Sequence, residues 1–430
     1  MLRRAPLAIL LCAILASGCT GSSGPHFSAV RPAAVAVKLA DLPHQVHIGV
    51  LFSGTSPAGQ GADVAGLAAG VIVAKYRLAA GGNGITLDLY DDHGSAAEAL
   101  HGLASFVKSK VSGVVAATYG DHLDPMLKAA ARQHLPVVLP YEQRDVAGAT
   151  SSWYLAASAG AVASSLSALL VSQGMRAPYV LTGDGRQAEA VGLAAMSSAI
   201  SSSAPIADQV APVVKAAKAH QVDSVVVAAS PQTQANVVAQ LQGSVPDLRV
   251  VLSPEATRPM FGQVLSAQLA QDGTATTSGD FLSVGLPTVD ATGLGKGSAA
   301  AAVGAFLSGL SLAAGIPSVK SMLLPKLSFS KSGAATADAA SHDALLALVF
   351  AVQRARSADP EQVMAALSRL KVRTGEGLAT TAALDFSSHR PVGRDQLVPL
   401  QSTAQASGQR AGIVEPLLPL SWFAIPASRS

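Results

Sequence analysis

The most distinctive chemical group in this 430-residue sequence is the thiol of Cys19. It follows three small residues, Ala16-Ser17-Gly18, which come after the positive pair Arg3-Arg4 and an apolar run from Leu7 to Leu15. This order is typical of a secretion signal, and a cysteine directly after the small residues offers a thiol for diacylation. The apolar run is shorter than the roughly 20 residues that a membrane-spanning helix needs. We therefore predict a signal peptide over residues 1–18 and a lipid anchor at Cys19, although the bacterial lipobox more often has leucine where Ala16 stands.

Motifs that could support catalysis or metal binding are all incomplete. Ser328-Phe329-Ser330-Lys331 has the Ser-x-x-Lys spacing of penicillin-binding enzymes, but neither Ser-Asp-Asn nor Lys-Thr-Gly follows it. The segment Gly54–Ala58 lacks the second glycine of a nucleophile elbow. His44 and His47 have no acidic partner at metal spacing, and the lysine of Gly293–Ser298 is not followed by serine or threonine. We expect no enzymatic activity, no metal and no cofactor.

The composition indicates a folded chain that does not bind nucleic acid. Hydrophobic residues make up 49% and charged residues 13% of the sequence, which argues against disorder and against a polyanion-binding surface. The net charge of +3 includes Arg3 and Arg4, so loss of residues 1–18 leaves +1 (3 − 2). The two cysteines are Cys12 and Cys19, so the mature chain has no thiol for an internal disulfide or a cysteine-based metal site.

Short apolar segments alternate with helical patterns from Val46 onward, as in a parallel sheet built from βαβ units. The preceding residues 19–44 are rich in Ser, Gly, Pro and Ala up to Ala40, and we predict that they form a flexible lipidated tether. The first four predicted strands are Val46–Phe52, Ile85–Tyr90, Gly113–Thr118 and Pro136–Pro140. The predicted fold class is α/β.

Two helical segments have informative apolar patterns. In the segment after the second strand, apolar residues recur at i, i+4, i+7, i+8 and i+11, and we predict that this stripe packs on the sheet. Its members are Ala96, Leu100, Leu103, Ala104 and Val107. Residues 299–314 are rich in alanine, and their glycines and serines favour tight packing over membrane insertion.

The sequence resembles the type I periplasmic binding proteins, in particular the branched-chain amino acid and amide receptors of ABC importers. Four segments carry the resemblance: Ile48–Gly54, Ala79–Gly84, Tyr90-Asp91-Asp92 and Val137–Pro140. The most specific is the glycine run that leads into a strand and Asp-Asp. The resemblance covers about Val46 to Leu400.

This resemblance implies two Rossmann-like lobes with parallel sheets, joined by a three-strand hinge. Each lobe is then discontinuous in sequence. We expect the first lobe to comprise residues 45–150 and 288–372, and the second lobe to comprise residues 151–287 and, with the hinge, 373–425.

The resemblance also places a ligand cleft between the lobes, where loops at the carboxyl ends of parallel strands converge and helix N-termini present free amides. We expect the ligand contacts to come from residues just after strands. The candidates are Ser53, Tyr119, Gly120, Asp121, Tyr141, Glu142, Gln143, Asp184, Arg186 and Glu255.

Several of these positions depart from the family's amino-acid receptors. Those receptors hold the ligand carboxylate with a serine after strand three, where this sequence has Gly120 or Asp121, and with small residues and a threonine where it has Tyr141-Glu142-Gln143. An aspartate there would repel a carboxylate. The cleft is therefore expected to suit a polar neutral or cationic solute, such as an amide, a polyol or an amine. The alternative is that these acids cap helices or are solvated.

Two functions fit these expectations. The first is a lipid-anchored solute-binding protein on the extracytoplasmic face of the cell membrane, which captures a small polar solute for a permease of an ABC importer. The solute classes are amino-acid-like molecules, amides, polyols and amines. The second is a degenerate receptor-like lipoprotein that acts as a sensor or adaptor for another envelope protein. The unusual cleft residues motivate the second hypothesis.

Overall fold

A computed structural model describes residues 34–57, 59–183, 194–201, 204–272, 279–380, 382–404 and 420–426. These residues belong to one compact unit, Pro32–Ser430. The predicted signal peptide, the lipidation site Cys19 and the candidate ligand residues Asp184 and Arg186 lie outside the described residues.

The first lobe is built on a five-stranded parallel sheet in the order β2-β1-β3-β4-β5. Its strands are β1 (Val46–Phe52), β2 (Ile85–Asp91), β3 (Val114–Ala116), β4 (Val137–Leu139) and β5 (Ser152–Tyr154). Strands β1, β3 and β4 are buried almost throughout, as expected for a parallel sheet that is covered by helices on both faces.

The second lobe is built on a seven-stranded mixed sheet in the order β14-β13-β10-β9-β8-β6-β7. Its strands are β6 (Pro178–Gly183), β7 (Met196–Ile200), β8 (Ser224–Ala228), β9 (Arg249–Leu252), β10 (Leu282–Gly285), β13 (Val398–Thr403) and β14 (Ser421–Ala424). The pairs from β6 to β10 are parallel, whereas β13 and β14 join antiparallel. A short antiparallel pair, β11 (Lys371–Val372) with β12 (Leu384–Asp385), packs on the first lobe.

Helices cover the sheets of both lobes. Those of the first lobe are α1 (Gly70–Ala80), α2 (Ala96–Lys108), α3 (Asp124–Arg132), α8 (Val289–Gly293), α9 (Gly297–Ala314), α10 (Phe329–Ser332), α11 (Ala339–Ala355) and α12 (Pro360–Leu367). Those of the second lobe are α4 (Ala159–Ser172), α5 (Ile206–Lys218), α6 (Pro231–Ser244) and α7 (Pro259–Asp272).

Within the ranges that the structure describes, the chain crosses between the lobes three times, after β5, after β10 and before β13. Two predicted boundaries are wrong in detail. Ser152–Tyr154 pairs with β4 in the first sheet, so the first crossing follows Tyr154 instead of preceding Ser151. Leu384, Phe386 and Val392 are buried in the first lobe's core, so that lobe continues well beyond residue 372.

The predicted tether is also too long at its carboxyl end. Val37 is buried, and its backbone N–H donates to the carbonyl of Arg77 at 2.9 Å. The carbonyl of Val35 accepts from Nε of Arg77 at 2.9 Å. From Val35 onward the chain is therefore packed on α1, because its backbone groups bond both the side chain and the backbone of Arg77.

The apolar stripe predicted on α2 is rotated from the face that the helix buries. Leu100 and Val107 are exposed, whereas the buried residues are Ala99, Gly102, Leu103 and Phe106. A Cβ at Gly102 would lie 2.9 Å from the Leu51 side chain. The missing side chain lets the helix approach the sheet closely on this face, and this approach sets its rotation.

Among the described residues, α9 is long and apolar enough to cross a membrane. Half of it is buried against the rest of the protein. Val303, Phe306 and Leu310 lie in one apolar cluster with Ala69 and Val73. The helix therefore packs as a core element of the first lobe, in agreement with its small-residue composition.

Candidate functional site

A cavity of about 300 Å³ lies between the two lobes, beside all three crossings. The first lobe contributes Tyr141, Gln143 and Asp338 to its lining, and the second contributes Glu255 and Arg258. Leucine, valine, proline and alanine side chains form much of the remaining wall, among them Leu67, Leu155, Val162, Leu286, Val289 and Leu420. The cavity can therefore enclose a small solute that has both a polar and an apolar part.

Asp338 and Tyr141 form the polar pair on the first-lobe side of the cavity. The Tyr141 hydroxyl donates to Oδ1 of Asp338 at 2.9 Å. That oxygen also accepts from the backbone N–H of Ser341 at 3.0 Å and from its hydroxyl at 2.7 Å, so Asp338 is the N-cap of α11. Burial raises the pKa of the Asp338 carboxyl to about 6, which means that its negative charge is poorly solvated and open to a cationic partner.

Tyr141 is the sequence-predicted residue that the structure places most clearly in the cavity. Its side chain is 4% exposed and follows β4 through Pro140. Burial, together with the charge of Asp338, raises the pKa of the phenol well above its ordinary value. Tyr141 therefore stays protonated and acts as a hydrogen-bond donor to Asp338.

Arg258 reaches from the second lobe to the first. Its Nη1 donates to Oδ2 of Asp63 at 3.1 Å. Its guanidinium carbon lies 5.9 Å from the ring centre of Tyr119 and 5.8 Å from that of Tyr141, within cation–π range. The Tyr119 hydroxyl donates to the other oxygen of Asp63 at 2.7 Å and thereby orients this carboxylate.

A second polar contact joins the lobes through two sequence-predicted residues. Nε2 of Gln143 donates to Oε1 of Glu255 at 2.8 Å. The hydroxyl of Ser253 donates to the other carboxylate oxygen of Glu255. Gln143 and Glu255 both line the cavity, so this contact faces it from the two lobes.

Glu142 lies next to the cavity lining but does not belong to it. Its side chain is buried and accepts from the backbone N–H of Gly120 at 3.0 Å. It also accepts from the backbone N–H and the guanidinium of Arg144, at 2.8, 3.2 and 3.0 Å. Both carboxylate oxygens of Glu142 therefore accept hydrogen bonds, and the side chain joins the loop after β3 to the loop after β4.

Ser53 and Asp121 also lie outside the cavity lining. Ser53 is fully buried, and its hydroxyl donates to Oδ1 of Asp92 at 2.6 Å. The other oxygen of Asp92 lies 3.1 Å from Nε2 of His122. Asp121 is exposed and accepts from the amide of Gln60 at 2.7 Å. These contacts tie together the loops after β1, β2 and β3.

Arg390 binds backbone carbonyls beside the cleft, at the first crossing between the lobes. Its guanidinium donates to the carbonyls of Ala156 and Gln143, each at 2.7 Å, and to Oδ1 of Asp145 at 2.8 Å. It lies 4.7 Å from the ring centre of Tyr154. Arg390 therefore joins the first crossing segment to the loop after β4 and to the end of β5.

Sequence reasoning missed three residues of this region: Asp63, Arg258 and Asp338. Arg258 lies three residues beyond the candidate Glu255, because the chain after β9 first forms a short 3₁₀ turn, Pro254–Thr257. Asp338 is the N-cap of α11 and also lines the cavity. A capping aspartate has the same sequence pattern whether or not it faces a cavity, so the sequence did not reveal the second role. Within the described residues, no group of three or more His, Cys, Asp or Glu side chains could hold a metal ion.

No protein-family model and no curated protein matches the sequence. Solved structures do resemble the fold. A type 1 periplasmic binding protein from Bordetella pertussis has a TM-score of 0.62 at 15% identity, over 89% of this chain and 100% of that one. The branched-chain amino acid transporter substrate-binding protein LivJ from Streptococcus pneumoniae, solved with isoleucine, has a TM-score of 0.61 at 15% identity, over 89% and 100%.

An ABC transporter substrate-binding protein from Sphaerobacter thermophilus has a TM-score of 0.62 at 12% identity, over 89% of this chain and 97% of that one. At these identities the likeness shows the fold. The chain therefore has the two-lobed type I periplasmic binding protein fold, which confirms the fold class inferred from the sequence.

Proposed function

We propose that this protein is an extracytoplasmic, lipid-anchored solute-binding protein that captures a small polar solute between its lobes for an ABC importer. The observation that carries the proposal is the cavity of about 300 Å³ between the lobes, to which each lobe contributes polar side chains. Solved proteins of the same fold include an ABC transporter substrate-binding protein and one holding isoleucine, which supports this interpretation.

The cavity favours a solute with a cationic or hydrogen-bond-donating group. Asp338 and Glu255 are carboxylates in its wall, and Gln143 supplies an amide. A cationic solute would restore the interactions that the Asp338 carboxylate loses on burial. Among amino-acid-like solutes, amides, polyols and amines, we favour an amine or an amino-acid-like molecule with a short apolar part, because the remaining wall is largely apolar.

The mechanism is capture by closure of the lobes. The three crossings act as the hinge, and the contacts Gln143–Glu255 and Asp63–Arg258 form where the lobes meet. A solute that touches both lobes binds the closed arrangement more tightly than the open one and therefore shifts the population toward it. The closed form would then be recognised by a membrane permease, and no chemical step is required.

A thermal-shift screen of the soluble form beginning at Thr20 tests the proposal. The packed chain described by the structure begins at Ala34, so this form retains it. A solute at 100 times its dissociation constant should raise the free energy of unfolding by about 2.7 kcal/mol. Tyr141→Phe should weaken the response, whereas Asp121→Asn, a change at an exposed residue outside the cavity, should leave it unchanged. A folded protein that responds to no amino acid, amide, polyol, amine or sugar would contradict the proposal.

Lipid anchoring at Cys19 needs its own test. Metabolic labelling with a palmitate analogue should mark the protein in cells, and Cys19→Ser should remove the label and release the protein from the membrane fraction. Unchanged labelling or membrane retention in the variant would contradict anchoring at Cys19.

The alternative is a receptor-like sensor or adaptor for another envelope protein. The ion pair of Arg258 with Asp63 favours it, because this contact joins the lobes through the protein's own side chains. An importer component should be encoded beside a permease and an ATPase, whereas an adaptor need not be. The screen also separates the two functions, since an adaptor need not bind a solute.

A further inference from the structure

The guanidinium of Arg258 lies in a cage formed by the first lobe. Asp63 supplies a carboxylate at 3.1 Å, and the rings of Tyr119 and Tyr141 lie 5.9 and 5.8 Å from the guanidinium carbon. A planar cation between a carboxylate and aromatic faces is well matched in charge and shape. The cage therefore has the chemistry of a site for a guanidinium group.

The cage is held in place by contacts within the first lobe. The Tyr119 hydroxyl orients the Asp63 carboxylate at 2.7 Å, and the Tyr141 hydroxyl is bound to Asp338 at 2.9 Å. Asp338 in turn caps α11. None of these three contacts involves Arg258, so they can persist when the arginine leaves.

Arg258 itself belongs to the second lobe, where it directly follows the 3₁₀ turn Pro254–Thr257 that comes after β9. Its side chain and that of Asp63 are each 15% exposed, so the ion pair is largely shielded from water and from screening by salt. The contact can form only when the lobes are together.

We infer that the first lobe carries a guanidinium-binding site, which Arg258 fills as an internal latch that keeps the lobes closed when no solute is bound. A free guanidinium compound competes with Arg258 for the cage. This inference concerns the solute-free protein and goes beyond the proposed function, since the latch can exist whether or not the cavity takes up a transported solute.

The first part of the test measures the distance between the lobes. A form beginning at Thr20 contains no cysteine, because the two cysteines of the chain are Cys12 and Cys19. Lys128→Cys on α3 and Lys218→Cys on α5 place one dye at an exposed position in each lobe. We expect Arg258→Ala and Asp63→Asn each to change energy transfer in the absence of solute, as the lobes separate. Arg249→Ala is the matched control, since Arg249 contacts Gln173 within the second lobe.

The second part measures binding of methylguanidinium by calorimetry. Arg258→Ala empties the cage, so this variant should bind the probe at least about tenfold more tightly than the wild-type protein, in which a tethered side chain competes at high effective concentration. The double variant Arg258→Ala/Asp63→Asn should lose this gain, and neutral methylurea should not bind.

The inference is overturned if Arg258→Ala keeps the energy transfer of the wild-type protein, or if it binds methylguanidinium no more tightly. Asp63→Asn supplies an independent, nearly isosteric variant should Arg258→Ala fail to fold. A solute found by the thermal-shift screen would support the proposed function without deciding on the latch, so the two can fail separately.

Discussion

The hydroxyl of Tyr141 donates to Oδ1 of Asp338 across 2.9 Å, and this bond joins the loop after β4 to the N-terminus of α11. It brings together residues 197 positions apart in the sequence. One partner, Tyr141, is among the candidate ligand residues from the sequence, and the other, Asp338, is a helix cap. Their contact makes the first-lobe wall of the cavity both acidic and ordered.

This pair predicts how solute binding depends on pH. Burial raises the pKa of the Asp338 carboxyl to about 6, so the group gains its charge as the pH rises through that value. The affinity for an amine solute should increase between about pH 5 and pH 7, and Asp338→Asn should weaken binding and flatten this dependence. Titration calorimetry at a series of pH values measures both effects. An affinity that falls as the pH rises through this window would contradict the assignment.

The raised pKa of Asp338 also predicts how the stability of the solute-free protein depends on pH. A carboxyl with a raised pKa in the folded state contributes stability below its ordinary pKa of 3.8 and loses it as the pH rises through about 6. Asp338→Asn removes this loss but also weakens the cap of α11. The variant should therefore be less stable than the wild-type protein at pH 4 and closer to it at pH 7, as urea unfolding at the two pH values would show.

His342, a buried residue of the first lobe, should make the stability of the protein depend on pH in the opposite direction. Nη1 of Arg77 lies 2.8 Å from Nε2 of His342, and Nδ1 of His342 lies 2.6 Å from Oδ1 of Asp343. Arginine can only donate, so Nε2 accepts and Nδ1 carries the proton toward the carboxylate. The imidazole is thus neutral, and burial lowers its pKa. Its contribution to stability is present above about pH 6.5 and is lost as the pH falls below that value.

Removing Arg77 should be strongly destabilising, because it leaves Nε2 of His342 and two backbone carbonyls without their buried donor. It also removes a positive charge that interacts with the buried Asp343 carboxylate. Arg77→Ala should lower the free energy of unfolding by about 3–5 kcal/mol. Arg354→Ala, at an exposed position of α11, should change it by less than about 0.5 kcal/mol. Urea unfolding compares the two variants, and equal effects would show that the buried cluster contributes little.

Glu142 provides a test that separates a structural acid from a ligand-binding one. Glu142→Gln replaces one acceptor oxygen by an amide that faces the donors of Gly120 and Arg144, at a cost of about 2–4 kcal/mol in the free energy of unfolding. Because Glu142 is not part of the cavity lining, solute affinity should stay within about threefold. A large loss of solute affinity with unchanged stability would show instead that Glu142 takes part in binding the solute.

The sequence predicted the architecture well because the strongest signals are local. Buried parallel strands appear as apolar runs, and the Val46–Phe52 strand has the predicted bounds. The rotation of α2 was missed, because it depends on the approach of Gly102 to Leu51, a contact with a distant strand. The first crossing was misplaced because the short strand β5 is defined by its pairing with β4.

The site was less predictable than the fold, since strand ends identify loops but not where their side chains lie. Of the candidate ligand residues, Tyr141, Gln143 and Glu255 line the cavity, and Tyr119 contacts Arg258 beside it. Ser53, Asp121 and Glu142 are instead engaged in contacts among the first-lobe loops. The residues that join the lobes, Asp63 and Arg258, are 195 positions apart, and nothing local links them.

Binding of a small solute in the cavity between the lobes is the property on which the proposed function depends. Equilibrium dialysis of radiolabelled amines and amino acids against the form beginning at Thr20 measures it directly. We expect one saturable site per chain for at least one of these solutes, with affinity reduced at least about tenfold by Asp338→Asn and unchanged by Asp121→Asn. Saturable binding that Asp338→Asn leaves intact, or no binding by the folded protein, would contradict a solute site in this cavity.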